Sequence, residues 1–189
     1  MGYVVRSEWD EHYAGGRGFR PLSDAERALL AVHTPPPDGG RALDVGCGTG
    51  ELAAHLAELG YQVDAVDFAP SAVRRAAVER AGAANVRWLY RDIEGDDLSG
   101  LSDDGYDLIT LRLVYAFLKD RLRTLRTLAD LLRPDGTLVV ITPRAELTPA
   151  DRRDIALDEH EIAQLTADWA GTAHQLAADD FAVLILGGA

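Results

Sequence analysis

The chain has 189 residues, 47% of them hydrophobic and 26% charged, with a formal net charge of −12. That balance fits one globular domain with a core of its own. It argues against a nucleic-acid ligand, because phosphate binding draws on clustered Lys and Arg, whereas Lys119 is the only lysine and the arginines are scattered among acids.

In chain order, Ser23-Asp24-Ala25-Glu26 has capping-box spacing and predicts a helix to about His33. Pro35-Pro36-Pro37-Asp38-Gly39-Gly40 is stiff and then flexible, and ends the N-terminal segment. From there the pattern alternates. A short buried strand is predicted over 42–45, then a helix over 51–59 with Leu52, Leu56 and Leu59 on one face and Gly60 as its stop. Strand two falls at 62–67 and a second helix at 70–81, with Pro70 in its first turn. Strands three and four are predicted at 86–90 and 107–113. A third helix over 119–133 carries Leu122, Leu125, Leu128 and Leu132 in a stripe. Pro134-Asp135-Gly136 reads as a tight turn into strand five at 137–142.

Strands separated by helices imply right-handed crossovers and a parallel sheet covered on both faces. The end of the chain differs. A helix over 158–169 has its own capping pair, Asp158 and Glu161. Segments 172–177 and 181–186 are separated only by Ala178-Asp179-Asp180, which permits a hairpin but no parallel crossover.

Residues 42–52 read ALDVGCGTGEL, a strand entering a glycine-rich turn and then a helix. Gly46, Gly48 and Gly50 allow close backbone approach and positive φ, and the helix start behind them offers unpaired amides. Asp67 closes the next strand, where a carboxylate can accept both hydroxyls of a ribose, and Phe68 can lie against a purine. Asp92 closes the strand after that and can accept from an exocyclic amine, with Ile93 beside the ring. A nicotinamide dinucleotide needs a pyrophosphate cradle, usually G-x-G-x-x-G. Here the turn is the tighter Gly46-Cys47-Gly48-Thr49-Gly50, and Asp44 just before it would repel a pyrophosphate. An acid at that point suits a ligand carrying positive charge, such as the amino group or sulfonium of S-adenosylmethionine.

On these residues the sequence resembles the class I S-adenosylmethionine-dependent methyltransferases. LDVGCGTG, VDAVDFAPSAV and RDIEGDDL match the family's first three motifs, and YDLITLRLVYAFL and LLRPDGTLVVITP its fourth and fifth. The resemblance implies an α/β, Rossmann-like three-layer sandwich. Its seven-stranded, mostly parallel sheet has the order 3-2-1-4-5-7-6, with strand seven antiparallel. One domain over 1–189 is expected, residues 1–40 forming a cap and 41–189 the core. The resemblance also implies that Asp67 holds the ribose and that Asp92 and Ile93 frame the adenine. Within the class, Trp9 to Tyr13, LGYQVDAVD and IALDEHEIAQLTADW look most like small tellurite-resistance-type and thiopurine-type members.

The expected cofactor set is Arg20, Asp44, Gly46, Cys47, Gly48, Gly50, Asp67, Phe68, Asp92 and Ile93. Arg20 or Arg17 is a candidate clamp for the methionine carboxylate, on a segment that closes over the cofactor in this fold. Cys47 is read as a small residue beside the glycines, with no partner base to make it a nucleophile. Candidate catalytic or acceptor-facing residues are His12, Tyr13, Arg112, Tyr115 and His160. Arg112 has the alternative of pairing with Asp120, Tyr115 of packing in the core, and His12 and Tyr13 of serving as aromatic anchors. His33, His55 and His174 are expected to be solvated, and no cluster has metal-ligand spacing.

The expected activity is transfer of a methyl group from S-adenosylmethionine to a small-molecule acceptor by in-line displacement, with S-adenosylhomocysteine as product. Positioning is then the protein's main task. Acceptor cover is expected mostly from the N-terminal segment. The alternatives are a catalytically silent S-adenosylmethionine-binding partner or sensor, and a nicotinamide dehydrogenase. The opening residues lack the order of a secretory leader, no run approaches the roughly 18 apolar residues of a membrane span, and the single cysteine fits a reducing compartment. A cytoplasmic monomer or homodimer is expected.

Overall fold

A computed structural model describes residues 5–95 and 97–188. Two helices, α1 (Arg6–Ala14) and α2 (Asp24–His33), precede the alternating core. The core runs β1 (Arg41–Val45), α3 (Glu51–Leu59), β2 (Gln62–Asp67), α4 (Pro70–Glu79), β3 (Val86–Tyr90), β4 (Tyr106–Arg112), α5 (Arg121–Asp130) and β5 (Leu132–Pro143). It ends with α6 (Glu159–Asp168) and the hairpin β6 (Thr172–Ala178) and β7 (Phe181–Gly187).

The seven strands form one sheet in the order β3-β2-β1-β4-β5-β7-β6, as the resemblance implied. Pairs from β3 through to β5 are parallel. β7 runs antiparallel to both β5 and β6; with Ala178 paired to Phe181, the hairpin link is only Asp179-Asp180, which permits no other direction for β6 and β7. Strand residues alternate between faces. Leu43, Val45, Ile109, Leu111 and Val140 pack with Leu128 of α5 and Ile162 and Leu165 of α6. On the other face Ala42, Val63, Leu108 and Val139 pack with Leu52 and Leu56 of α3 and Leu30 of α2. β1 lies between β2 and β4, so its carboxyl end opens at the middle of the sheet, where an α/β sheet holds its ligand.

Both predicted capping boxes form, Ser23 with Glu26 and Asp158 with Glu161. Other boundaries shift for identifiable reasons. α5 starts two residues later than predicted because Asp120 is its N-cap and accepts from the Arg123 amide. It ends by Asp130 because Leu132 already pairs with Tyr106 in the sheet. β5 therefore begins before the Pro134-Asp135-Gly136 turn. The turn is absorbed as an irregularity, the register passing from Tyr106↔Leu132 to Leu108↔Thr137. β4 stops at Arg112, one residue early, because Leu113 turns to φ +59. His55 corrects the expectation of a solvated face. It is 8% exposed, neither ring nitrogen is hydrogen-bonded, and the Glu58 carboxylate lies 3.6 Å from Nδ1.

Candidate active site

One cavity opens at the carboxyl ends of β1, β2 and β4, beside the residues that follow β3. Its walls include Asp44, Gly46, Cys47, Gly48, Asp67, Phe68, Asp92 and Ile93. The glycine turn is fastened to the neighbouring strand, since the Gly46 and Cys47 amides both donate to the Val66 carbonyl, at 2.8 and 3.0 Å. Two of its glycines show why no larger residue fits. Gly46 has φ +69, and a Cβ there would lie 2.3 Å from Val114 Cγ2. Gly48 has φ +54, and a Cβ would lie 2.9 Å from the Tyr13 hydroxyl.

Each acid is held differently. Asp44 is 1% exposed and accepts from Thr110 Oγ1 at 2.7 Å through one oxygen, while Oδ2 is buried without a hydrogen-bond partner. Burial raises its carboxyl to about 7. Asp67 accepts from the Gly48 amide at 2.9 Å and the Ala69 amide at 2.8 Å. Burial raises it to about 6 against the pull of those amides. Asp92 accepts from the Glu94 amide at 3.0 Å and pairs with Arg6 at 3.1 Å. Burial lifts the Cys47 thiol well above its ordinary range, which keeps it protonated and unreactive at neutral pH.

The cover over this cavity is aromatic. Trp9, Tyr13, Phe19 and Phe117 line it together with Leu113, Val114 and Leu118. Trp9 stacks on Tyr13 with centroids 6.0 Å apart and meets Phe117 edge-on at 5.3 Å. The Tyr13 phenol is buried, and burial followed by the nearby Asp67 charge raises its pKa.

The other candidates divide. Arg20 reaches the wall, but its guanidinium is held bidentate by Asp180 at 2.6 and 2.9 Å and lies over the Phe181 ring. Arg17 is exposed and does not line the cavity. Arg112 also borders the cavity, and its partner is Glu26, not the expected alternative Asp120. It donates twice to the buried Glu26 carboxylate, at 2.7 and 3.0 Å, and to the Arg20 and Pro21 carbonyls. It is a strut between β4 and the N-terminal segment.

Tyr115 does not line the cavity. It packs in the core with Arg121 over its ring at 5.1 Å. His160 is exposed on the first turn of α6, away from the cavity. His12 is half-buried with its ring near the Gly18 carbonyl at 3.3 Å, supporting the loop that carries Phe19. Sequence reasoning did not single out Phe117 and Leu118, which end the fourth-motif segment on and just after a short 3-10 turn (Tyr115–Phe117). It also missed Glu51, whose carboxylate accepts the Leu22 amide at 2.8 Å and whose only signal is its place directly after the glycine turn. Among the described residues no group of acids, histidines and cysteine is arranged to hold a metal ion.

The donor set fits an adenosyl amino acid. A buried carboxylate oxygen lacks a partner, a glycine cradle leaves no room for a Cβ, and two further acids follow on successive strands. Fold and site together define a Rossmann-like nucleoside-binding domain. Comparison with known proteins is more specific: residues 17–178 match a family model described as a methyltransferase domain. The chain belongs to that family, the class I methyltransferases whose cofactor is S-adenosylmethionine.

A ubiquinone biosynthesis O-methyltransferase of Xanthomonas campestris pv. campestris (strain B100) is 38% identical over 139 residues, covering 74% of this chain and 57% of that relative. The match thus spans about half the length of the curated relatives. Among solved structures, a SAM-dependent methyltransferase from Aquifex aeolicus shares the fold at TM-score 0.75 and 21% identity, covering 96% of this chain and 97% of that one. The N-methyltransferase NodS from Bradyrhizobium japonicum WM9, in complex with S-adenosyl-L-homocysteine, does so at 0.71 and 24%, with 95% of each chain covered. A TehB-like SAM-dependent methyltransferase from Corynebacterium glutamicum does so at 0.63 and 20%, covering 97% and 95%.

Proposed function

We propose that this chain transfers the methyl group of S-adenosylmethionine to a small-molecule acceptor by in-line displacement. The observation that carries the reading is the buried, unpartnered Oδ2 of Asp44 beside the glycine turn, in one cavity with Asp67 and Asp92. When bound, S-adenosylmethionine supplies an electrophilic methyl on a cationic sulfur that leaves neutral and needs no proton.

The protein's own residues bind and orient. Asp44 would receive the ammonium of the methionine end, which supplies the missing partner and favours its ionised form. Asp67, already aimed by two backbone amides, would accept from the ribose hydroxyls. Phe68 and Ile93 would flank the adenine, and Asp92 would accept from its amine. Arg20 is engaged with Asp180, so the carboxylate of the methionine end would fall to the amides of the glycine turn and the start of α3.

On the acceptor side, Trp9, Phe19 and Phe117 present ring faces and edges, and the Tyr13 hydroxyl stands at the glycine turn. Such walls exclude water and hold a nucleophile close to the methyl, which is where methyl transfer draws its rate. They suit a small, partly apolar acceptor. The name of the curated relatives described above, ubiquinone biosynthesis O-methyltransferase, adds an oxygen nucleophile as the first to try.

The test has two arms. Calorimetry with S-adenosylhomocysteine should show one site per chain. Transfer of labelled methyl from S-adenosylmethionine should then be detected with a panel of phenols, thiols and amines. Binding without transfer to any acceptor would favour a sensor or partner protein, and binding of NAD instead would overturn the reading.

A further inference from the structure

Helix α1 rests on α4 through one small apolar cluster, Tyr13 and Trp9 against Ala69 and Ala72. Its nine residues bury only Tyr13, and a helix that short is not stable alone in water. Polar contacts add to that small cluster and fix its register. Arg6, Asp10 and Tyr13 stand at i, i+4 and i+7 on one side of the helix, and they reach the segments after three successive strands. Arg6 donates to the Tyr90 hydroxyl at 2.8 Å and to Asp92 at 3.1 Å. Tyr13 closes over Gly48. Asp10 accepts from the Ser71 amide at 2.6 Å.

Helix α4 lacks that acceptor within itself. First-turn amides have no partner inside a helix, and the N-cap of α4 is Ala69, which forms no side-chain cap. Asp10 supplies the cap from another helix, and the bond to the Ser71 backbone holds its carboxyl below its ordinary range. The Ala69 amide, two residues earlier, donates to Asp67. One short turn therefore anchors both the acid that faces the ribose and the helix that covers the cavity.

We propose that Asp10 is a positioning residue for methyl transfer: by capping the neighbouring α4 it fixes Trp9 and Tyr13 over the glycine turn. This deepens, and rests on, the reading of the cavity as an S-adenosylmethionine site.

The experiment uses the full chain with S-adenosylhomocysteine as probe and compares Asp10→Ala, Asp10→Asn, and Asp10→Ala combined with Ala69→Ser. Hydrogen exchange is followed across α1, α3 and α4, and dissociation of the probe by stopped flow. In Asp10→Ala, α1 should lose protection while α3 keeps it, and the probe should leave about five- to tenfold faster. Asn caps as well as Asp and should stay within about twofold of the parent. Ala69→Ser returns a cap to α4 from within, and α1 should remain unprotected.

Unchanged α1 protection in Asp10→Ala would overturn the proposal. So would recovery of the parental dissociation rate by Ala69→Ser, which would make Asp10 a helix cap alone. If the crowded Ala69 site rejects a hydroxyl, the Ala and Asn variants decide between them. Failure of the underlying reading looks different: the parent would bind no S-adenosylhomocysteine, while exchange in α1 still reported on Asp10.

Discussion

Thr110 donates its hydroxyl to one oxygen of Asp44 at 2.7 Å, and the other oxygen of that carboxylate is buried with nothing to accept from. The pair joins β1 to β4 and leaves a half-satisfied acid facing the cavity.

The first consequence concerns pH. Asp44 stands at about 7 and Asp67 at about 6, both raised by burial. A cationic ligand group at Asp44 favours the ionised form, so binding at lower pH must release a proton. Affinity for S-adenosylhomocysteine should fall as pH drops from about 8 to 5, approaching tenfold per unit below the Asp44 value. Calorimetry in buffers of different ionisation heat should show that proton release. Without ligand the sign reverses. The native state holds protons that the unfolded chain gives up near pH 4, so these two acids cost stability as pH rises from about 4 to about 7. Thermal melts at pH 5 and 8 with and without the ligand check both signs.

Asp67→Ala removes the acceptor for two backbone amides and, on the proposed reading, for the ribose. Losing two hydrogen bonds to a charged group amounts to about 3 kcal/mol, or roughly a hundredfold in affinity. Equilibrium dialysis with labelled S-adenosylmethionine would measure it. An unchanged constant would sink the site assignment.

Arg112 is predicted to matter for stability and not for transfer. Its partner Glu26 has a side chain with no exposed surface, so Arg112→Met strands a buried carboxylate at a cost of about 3–5 kcal/mol. Chemical denaturation should show that loss, while S-adenosylhomocysteine affinity at a temperature where the variant is folded should change by less than about threefold, under 1 kcal/mol. A large fall in affinity with unchanged stability would return Arg112 to the ligand-binding set.

Gly46→Ala places a Cβ against Val114 at φ +69. It should destabilise by about 1–3 kcal/mol through crowding and strain together. Adding Val114→Ala removes the clash and leaves the strain, so the double variant should recover part of the loss but not all. Melting temperatures of the three proteins make the comparison.

Much of this was readable because it is local or periodic. The strand–turn–helix around Gly46 to Gly50, both capping boxes and the hairpin link each depend on residues within a few positions, where geometry follows spacing. Glu26 marks the limit. Its spacing from Ser23 announced a helix start, but nothing announced that the same carboxylate would receive Arg112 from 86 residues away. The same holds for Arg20 with Asp180, Asp10 with Ser71 and Phe117 with Trp9. Such pairs exist only after the sheet has set which loops adjoin. His55 failed for a related reason: a polar residue on a predicted helix tells nothing of what later packs over it.

The Arg20–Asp180 pair has one more implication, for biogenesis. Asp180 sits at the tip of the final hairpin and Arg20 in the segment before α2, so the roof of the pocket is pinned by residues made early and late on the ribosome. On the proposed reading, the residues that would cradle the nucleoside lie on or just after β1 to β4 and emerge before that hairpin. A nascent chain would pass through a stage with a finished floor and an unfastened ceiling, and firm retention of the nucleoside would await the last strand.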